Sequence, residues 1–128
     1  MPILGPEQQP PFAHFMGMKI THLSPECVRA ELPVREEFGN RNGVLHGGAL
    51  MAFADNLGGT AATANLKDGQ STTTIESKTN FFAAVPVGSV ASAETLPLHR
   101  GRTTMVWQTK VTRAAGKLAA VVTQTQPV

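Results

Sequence analysis

The sequence predicts an α+β fold in which an antiparallel sheet curls around one long helix. Three observations carry this. The run from His46 to about Leu66 is nearly all apolar or small and contains a single charge, Asp55. Two alternating apolar–polar segments precede it, and four segments rich in Thr and Val follow it. The turns between the later segments are short, which implies antiparallel hairpins, and a helix that is apolar all round has to be buried on most sides.

Each element can be justified in chain order. Residues 1–11 are rich in Pro and Gln and read as an extended lead-in, followed by a short helical turn around Phe12 to Met16. Met18, Ile20 and the segment to Leu23 make a first strand, and Ser24 and Pro25 turn the chain. The second strand, Val28 to Val34, sets Val28, Ala30, Leu32 and Val34 against Arg29, Glu31 and Pro33. Arg35 to Leu45 is polar and glycine-bearing and reads as a long loop. The helix of about 20 residues would span roughly 30 Å, and Lys67-Asp68-Gly69 ends it. The remaining strands are Thr72 to Ala83, Ser89 to Leu98, Thr103 to Arg113 and Leu118 to Thr125. Their turns lie at Val85-Pro86-Val87-Gly88, Arg100-Gly101 and Ala114-Ala115-Gly116. In the third of these strands Thr103, Met105, Trp107, Thr109 and Val111 share one face.

Length and composition bound the function. The 128 residues fit one domain over 1–128 that needs no disulfide or metal staple. With 41% hydrophobic and 16% charged residues the chain reads as a soluble globular protein. A net charge of +2, carried by scattered Lys and Arg, does not point to nucleic acid. The nearest basic clusters, His99, Arg100 and Arg102, then Lys110, Arg113 and Lys117, read first as exposed loops and second as a site for an anionic group. The lone Cys27 has no disulfide partner and fits a turn or strand better than a nucleophile. There is no secretory-type leader and no apolar run of membrane-spanning length, so no membrane is expected and the cytoplasm is the default location.

The chemistry concentrates in Asn40 to Gly59. His46-Gly47-Gly48 falls where loop becomes helix, where the first N–H groups lack internal partners and carry the positive end of the dipole. Glycine lets a ligand approach the backbone there, so the Gly47 N–H is a ready donor to an oxyanion. Asp55, the one charge on a buried-looking helix, calls for a partner or a task. Gly58 and Gly59, each costing about 1 kcal/mol relative to alanine in a helix, imply a close approach by another backbone or a ligand. Taken singly, each has a plain alternative: His46 a cap, Asp55 an ion-pair member, the glycines packing residues. Gly47 and Asp55 would lie about 12 Å apart along one helix, too far for a donor and a base that must both sit near one reacting centre. Two antiparallel copies across a two-fold axis would bring Gly47 of one chain to Asp55 of the other, giving two equivalent sites.

This segment resembles the signature of the hotdog-fold acyl-CoA thioesterases of the phenylacetate-degradation (PaaI-like) type. The shared pattern is Asn40, Gly43, His46, Gly47, Gly48 and, eight residues after Gly47, Asp55. The likeness runs from about Phe12 to Thr125, and includes Leu-Pro-Val ending at Val34 and Gly101-Arg102-Thr103 opening a strand. Related 4-hydroxybenzoyl-CoA and menaquinone-pathway enzymes carry Gln and Glu in place of Asn40 and Asp55. The resemblance implies a hotdog fold and an active homodimer, with pairing of dimers into a tetramer. It implies an acyl-CoA substrate, coenzyme A being part of that substrate, with no metal and no separate cofactor. Gly47 would bind the thioester oxygen, Asp55 would act as base or nucleophile, Asn40 would place the water or hold Asp55, and His46 would orient the thioester or the loop. A Ser or Thr opening the next strand supports the nucleophile in that family. Thr73 or Thr74 fits, with Thr74 preferred. Gly59 departs from relatives that carry Thr four residues after the acid, which leaves Thr60 as a nearby substitute. Gly48 and Thr73 join the binding set, and His99, Arg100 and Arg102 are candidates for the CoA phosphates. Leu45, Leu50, Met51, Phe53, Leu57, Phe81 and Phe82 could line an acyl pocket for aromatic or medium-chain groups, or could simply be core. Two rivals stand beside hydrolysis: a hydratase or dehydratase using His46 with Asp55, and a non-catalytic acyl-CoA-binding module.

Overall fold

The computed structural model describes residues 8–128, so the part of the expected lead-in over 1–7 lies outside the described residues. A short helix α1 (Pro11–Met16) leads into β1 (Lys19–Ser24) and β2 (Cys27–Pro33). The long helix α2 (Gly47–Thr63) follows, then β3 (Glu76–Phe81), β4 (Val90–Arg100), β5 (Thr104–Thr112) and β6 (Leu118–Pro127). The sheet runs β1-β2-β4-β5-β6-β3, and every pairing is antiparallel. The α2 segment thus carries the chain from one half of the sheet to its far edge, and the helix touches five strands, β2 to β6. Bulges between Ile20 and His22 in β1 and between Pro97 and His99 in β4 add the local bend that curls the sheet.

The core follows from the two periods. On α2, Leu50, Phe53, Ala54, Leu57 and Ala61 recur at helical spacing and are buried. From β5, Met105, Trp107, Thr109 and Val111 point inward at strand spacing, and Thr109 shares a 2.7 Å hydroxyl pair with Thr95 of β4. Leu50, Phe53 and Leu57 are therefore core residues in the chain, not pocket residues.

Two expectations shift. Helix α2 stops at Thr63, short of Lys67, because side chains terminate it: the Thr63 hydroxyl donates to the Gly59 carbonyl (2.7 Å) and Asn65 Nδ2 to that of Ala61 (2.9 Å). The helix is also covered on one side only. A single sheet supplies a single wall, and Met51, Ala52, Asp55, Gly59 and Thr63 on the other side remain half-buried. No helix among the described residues is long and apolar enough to cross a membrane.

Candidate active site

The start of α2 is built by its loop. Asn40 Oδ1 accepts from the N–H groups of Asn42 (2.8 Å) and Val44 (3.3 Å), an Asx turn that folds the segment back. The His46 N–H then donates to the Phe38 carbonyl (2.7 Å), and His46 takes the N-cap with φ −61° and ψ 135°. Its Nδ1 accepts from the Gly48 N–H at 2.9 Å, the task a Ser or Asp performs at other helix starts. A ring accepting at Nδ1 carries its proton on Nε2, so His46 offers an outward donor. The one ring nitrogen with a free lone pair, Nδ1, is thus engaged by Gly48, which argues against His46 as a carbon-proton base. The Gly47 N–H has no acceptor among the described residues. The Phe81 ring lies across Gly47, where an added Cβ would sit 3.2 Å from Phe81 Cζ. Asn40, Leu45, Gly47, Phe81 and Phe82 open on a cleft of about 410 Å³.

Two turns further along α2, a second cleft of about 300 Å³ opens beside Asp55. Thr74 reaches across from the segment before β3, and its hydroxyl donates to Asp55 Oδ1 at 2.7 Å. Two buried glutamines of β6 back this pair. Gln126 Nε2 donates to Thr74 Oγ1 at 2.6 Å, and Gln124 Nε2 lies 3.3 Å from Asp55 Oδ1. Thr73 lines the same cleft, and the hydrogen bond to Asp55 comes from its neighbour Thr74. These bonds also explain why β3 starts at Glu76 instead of Thr72: the Thr72 hydroxyl goes to Gln126 Oε1 (3.1 Å) and the Pro127 carbonyl (2.6 Å), and that of Thr74 goes to Asp55. The lead-in contributes too, since Gln9 Oε1 accepts from Asn56 Nδ2 (2.8 Å) and the Thr60 hydroxyl (3.1 Å), which engages Thr60 there. Gln9, Gln124 and Gln126 were not singled out from the sequence. The Thr-Gln-Thr-Gln alternation of β6 has no apolar contrast to say which face turns inward.

The two helix glycines separate. A Cβ on Gly58 would fall on the Gln124 carboxamide, whereas one on Gly59 meets nothing within 4 Å. Gly58 is a packing glycine, and Gly59 leaves room on the open face beside Asp55. Gly58→Ala is expected to lower the urea midpoint without changing the m-value. Overpacking costs about 1–3 kcal/mol and outweighs the gain of up to about 1 kcal/mol in helix propensity.

The basic residues divide as well. Arg100, Arg102 and Lys67 line a cleft of about 480 Å³ just past the end of α2, while His99 is not among its walls. Arg100 Nη1 is tethered to Asn65 Oδ1 (3.3 Å) and the Pro25 carbonyl (3.4 Å). Arg102 has no hydrogen-bond partner among the described residues. Cys27 opens β2, and burial pushes its thiol up, against the opposing pull of Arg29. That keeps it protonated and a poor nucleophile.

A single long helix set in a curved antiparallel sheet, with an open helix-start amide and a bridged carboxylate on its free side, defines a thioester hydrolase of the hotdog class. The sequence profile of the Thioesterase superfamily matches residues 42–120, and the chain belongs to that family. It is 33% identical over 114 residues to the Mycobacterium tuberculosis protein Rv1847, covering 86% of this chain and 80% of that one. Over 93 residues it is 33% identical to the proofreading thioesterase EntH of Cronobacter turicensis, covering 73% of this chain and 67% of the relative. A hypothetical thioesterase protein of Streptococcus pneumoniae, solved with coenzyme A, superposes with a TM-score of 0.80 at 25% identity, covering 87% and 84% of the two chains.

Proposed function

We propose that this protein hydrolyses acyl-CoA thioesters as a homodimer whose two active sites are each shared between subunits. One observation carries the reading. The Gly47 N–H and the Asp55 carboxylate, both needed at one carbonyl, open into two clefts with no lining residue in common. They sit eight residues apart on one straight helix, about 12 Å along its axis and about 80° around it. The uncovered face between them is made of Met51 and small residues, which lets a second α2 approach antiparallel. In that pairing the thioester oxygen takes the Gly47 N–H of one subunit, and Asp55 of the other faces the carbonyl carbon.

The chemistry then follows. Asp55 either draws a proton from water as the water attacks the carbonyl carbon, or attacks that carbon itself and is released by water from the resulting anhydride. In both routes the carbonyl oxygen becomes an oxyanion held by the Gly47 N–H, and its collapse expels the CoA thiolate, which takes up a proton. Asn40 Oδ1 is committed to its loop, so its Nδ2 hydrogens, without an acceptor among the described residues, are the part that can hold the water or the partner's carboxylate. Leu45, Phe81 and Phe82 offer the acyl group an apolar wall suited to aromatic or medium-chain substrates. Arg100 and Arg102 offer charge to the CoA phosphates. Dimers pair further into tetramers, in the cytoplasm, where acyl-CoA esters are made and an unpaired thiol such as Cys27 stays reduced.

The test is a free-thiol assay with phenylacetyl-, hydroxybenzoyl-, short and long fatty acyl-CoA, run beside hydration of an enoyl-CoA. Thiol release from at least one ester is the expected result. Acyl-CoA binding without release would leave a binding module, and hydration without release would leave the hydratase reading.

A further inference from the structure

Resting on the hydrolytic reading, we infer that Gln124 and Gln126 are positioning residues that set the orientation of the Asp55 carboxylate, and that Gly58 is the space that admits them. Both carboxamides lie on the inward face of β6 and are 1% and 0% exposed. Their bonds have a direction. An amide nitrogen can only donate, so Gln126 Nε2, at 2.6 Å from Thr74 Oγ1, occupies a lone pair of that hydroxyl. The Thr74 proton is left pointing at Asp55 Oδ1, 2.7 Å away. The Gln126 amide is oriented from this side: a carboxylate oxygen can only accept, so Thr74 donates to Asp55 and must accept from Gln126 Nε2, while the single Thr72 proton goes to the Pro127 carbonyl at 2.6 Å, with Gln126 Oε1 further off at 3.1 Å.

Gln124 completes the arrangement from above. Its Nε2 spans Asp55 Oδ1 (3.3 Å), the Asp55 carbonyl (3.4 Å) and Thr74 Oγ1 (3.5 Å). Asp55 Oδ1 is thereby engaged by two donors, and Oδ2, with no partner among the described residues, is the oxygen left for the reacting water or carbonyl carbon. Two costs mark this as more than filling. Gln124 Oε1 is buried with no hydrogen-bond partner among the described residues, a penalty that an apolar side chain of the same size would avoid. Gly58 gives up helix propensity solely to clear the Gln124 carboxamide. A turned Gln124 would satisfy neither charge nor proton, since its carbonyl oxygen would then face a carboxylate.

The experiment separates positioning from packing. Gly58→Ala with Gln124→Ala refills the vacated space with a methyl group, and Gln126→Met removes a donor at nearly constant shape. For both variants the expected result is an unfolding midpoint close to the wild type and kcat lower by roughly 10- to 100-fold, because a displacement of about 1 Å at the reacting group costs that much. KM for the best acyl-CoA is expected to stay within about threefold, since the substrate contacts are untouched. Wild-type kcat in the double variant would make Gln124 a space-filler and overturn the inference, as would wild-type kcat in Gln126→Met, which decides the matter if the double variant does not fold. Absence of thiol release by the wild-type protein from every ester would instead sink the hydrolytic reading, and this inference with it.

Discussion

Asp55→Asn is expected to lower kcat for thioester hydrolysis by about 10³-fold. KM, the unfolding midpoint and the oligomeric state should hardly move. The substitution is selective because of how Asp55 is held. Thr74 and Gln124 both donate to Oδ1, and a carboxamide oxygen accepts the same two bonds, so the side chain stays in place. What changes is the other position, where an NH₂ can neither take a proton from water nor attack a carbonyl carbon. A 10³-fold loss is about 4 kcal/mol of transition-state stabilisation, more than the geometry of an intact network could supply if the carboxylate were only structural. A continuous thiol assay reads kcat and KM together. A variant that keeps kcat within tenfold of the wild type would remove Asp55 from the chemistry, whichever of base or nucleophile it was taken to be.

Much of this architecture is legible in the residues, and what is not has identifiable causes. The order of two strands, helix and four strands follows from periodicity, and the inward face of β5 reads from Met105, Trp107 and Val111 alternating with neighbours that are polar except for Val106. The helix-start glycine and the isolated carboxylate stand out because each breaks a local rule: a flexible residue at a helix entrance and a charge on an apolar helix. The Thr74 contact could be narrowed only to two neighbouring threonines, since a run of Thr72, Thr73 and Thr74 shows no pattern until Gln126 and Asp55 claim two of its hydroxyls. The glutamines of β6 were hidden for a related reason. A strand that alternates Thr with Gln is polar on both faces, and only the assembled sheet turns Gln124 and Gln126 toward α2. Gly58 and Gly59 look identical as a pair, yet one is fixed by a side chain of β6 and the other faces open space. The apolar helix misled in one respect. Its composition implies burial on most sides, while the sheet covers one, leaving Met51, Ala52, Asp55, Gly59 and Thr63 half-buried.

A heterodimer of two inactive variants is expected to recover about half of the wild-type activity per dimer, because two-fold symmetry leaves it one intact composite site of two. The partners are Asp55→Asn and Gly47→Pro. Proline suits this purpose because Gly47 is the first residue of α2, where a missing N–H breaks no intrahelical bond and the ring's fixed φ is already helical. The preceding His46 is extended, at ψ 135°, as a residue before proline must be. The ring would press on Phe81, which is 52% exposed and free to yield. The oxyanion donor is lost, a change expected to cost about 10²–10³-fold on its own, and the shift of Phe81 in the acyl wall adds to the loss. Co-expression with two different tags and sequential purification isolates the heterodimer. Of its two sites, one joins the proline of one subunit to the asparagine of the other and is dead. The second joins an unaltered Gly47 to an unaltered Asp55 and is whole. If both groups instead served one site within a single chain, every chain in the heterodimer would carry a defect and the mixture would stay at the level of its inactive parents. Recovery toward half activity therefore cannot arise from residual function of either variant, and its absence would separate Gly47 from Asp55 in the reaction.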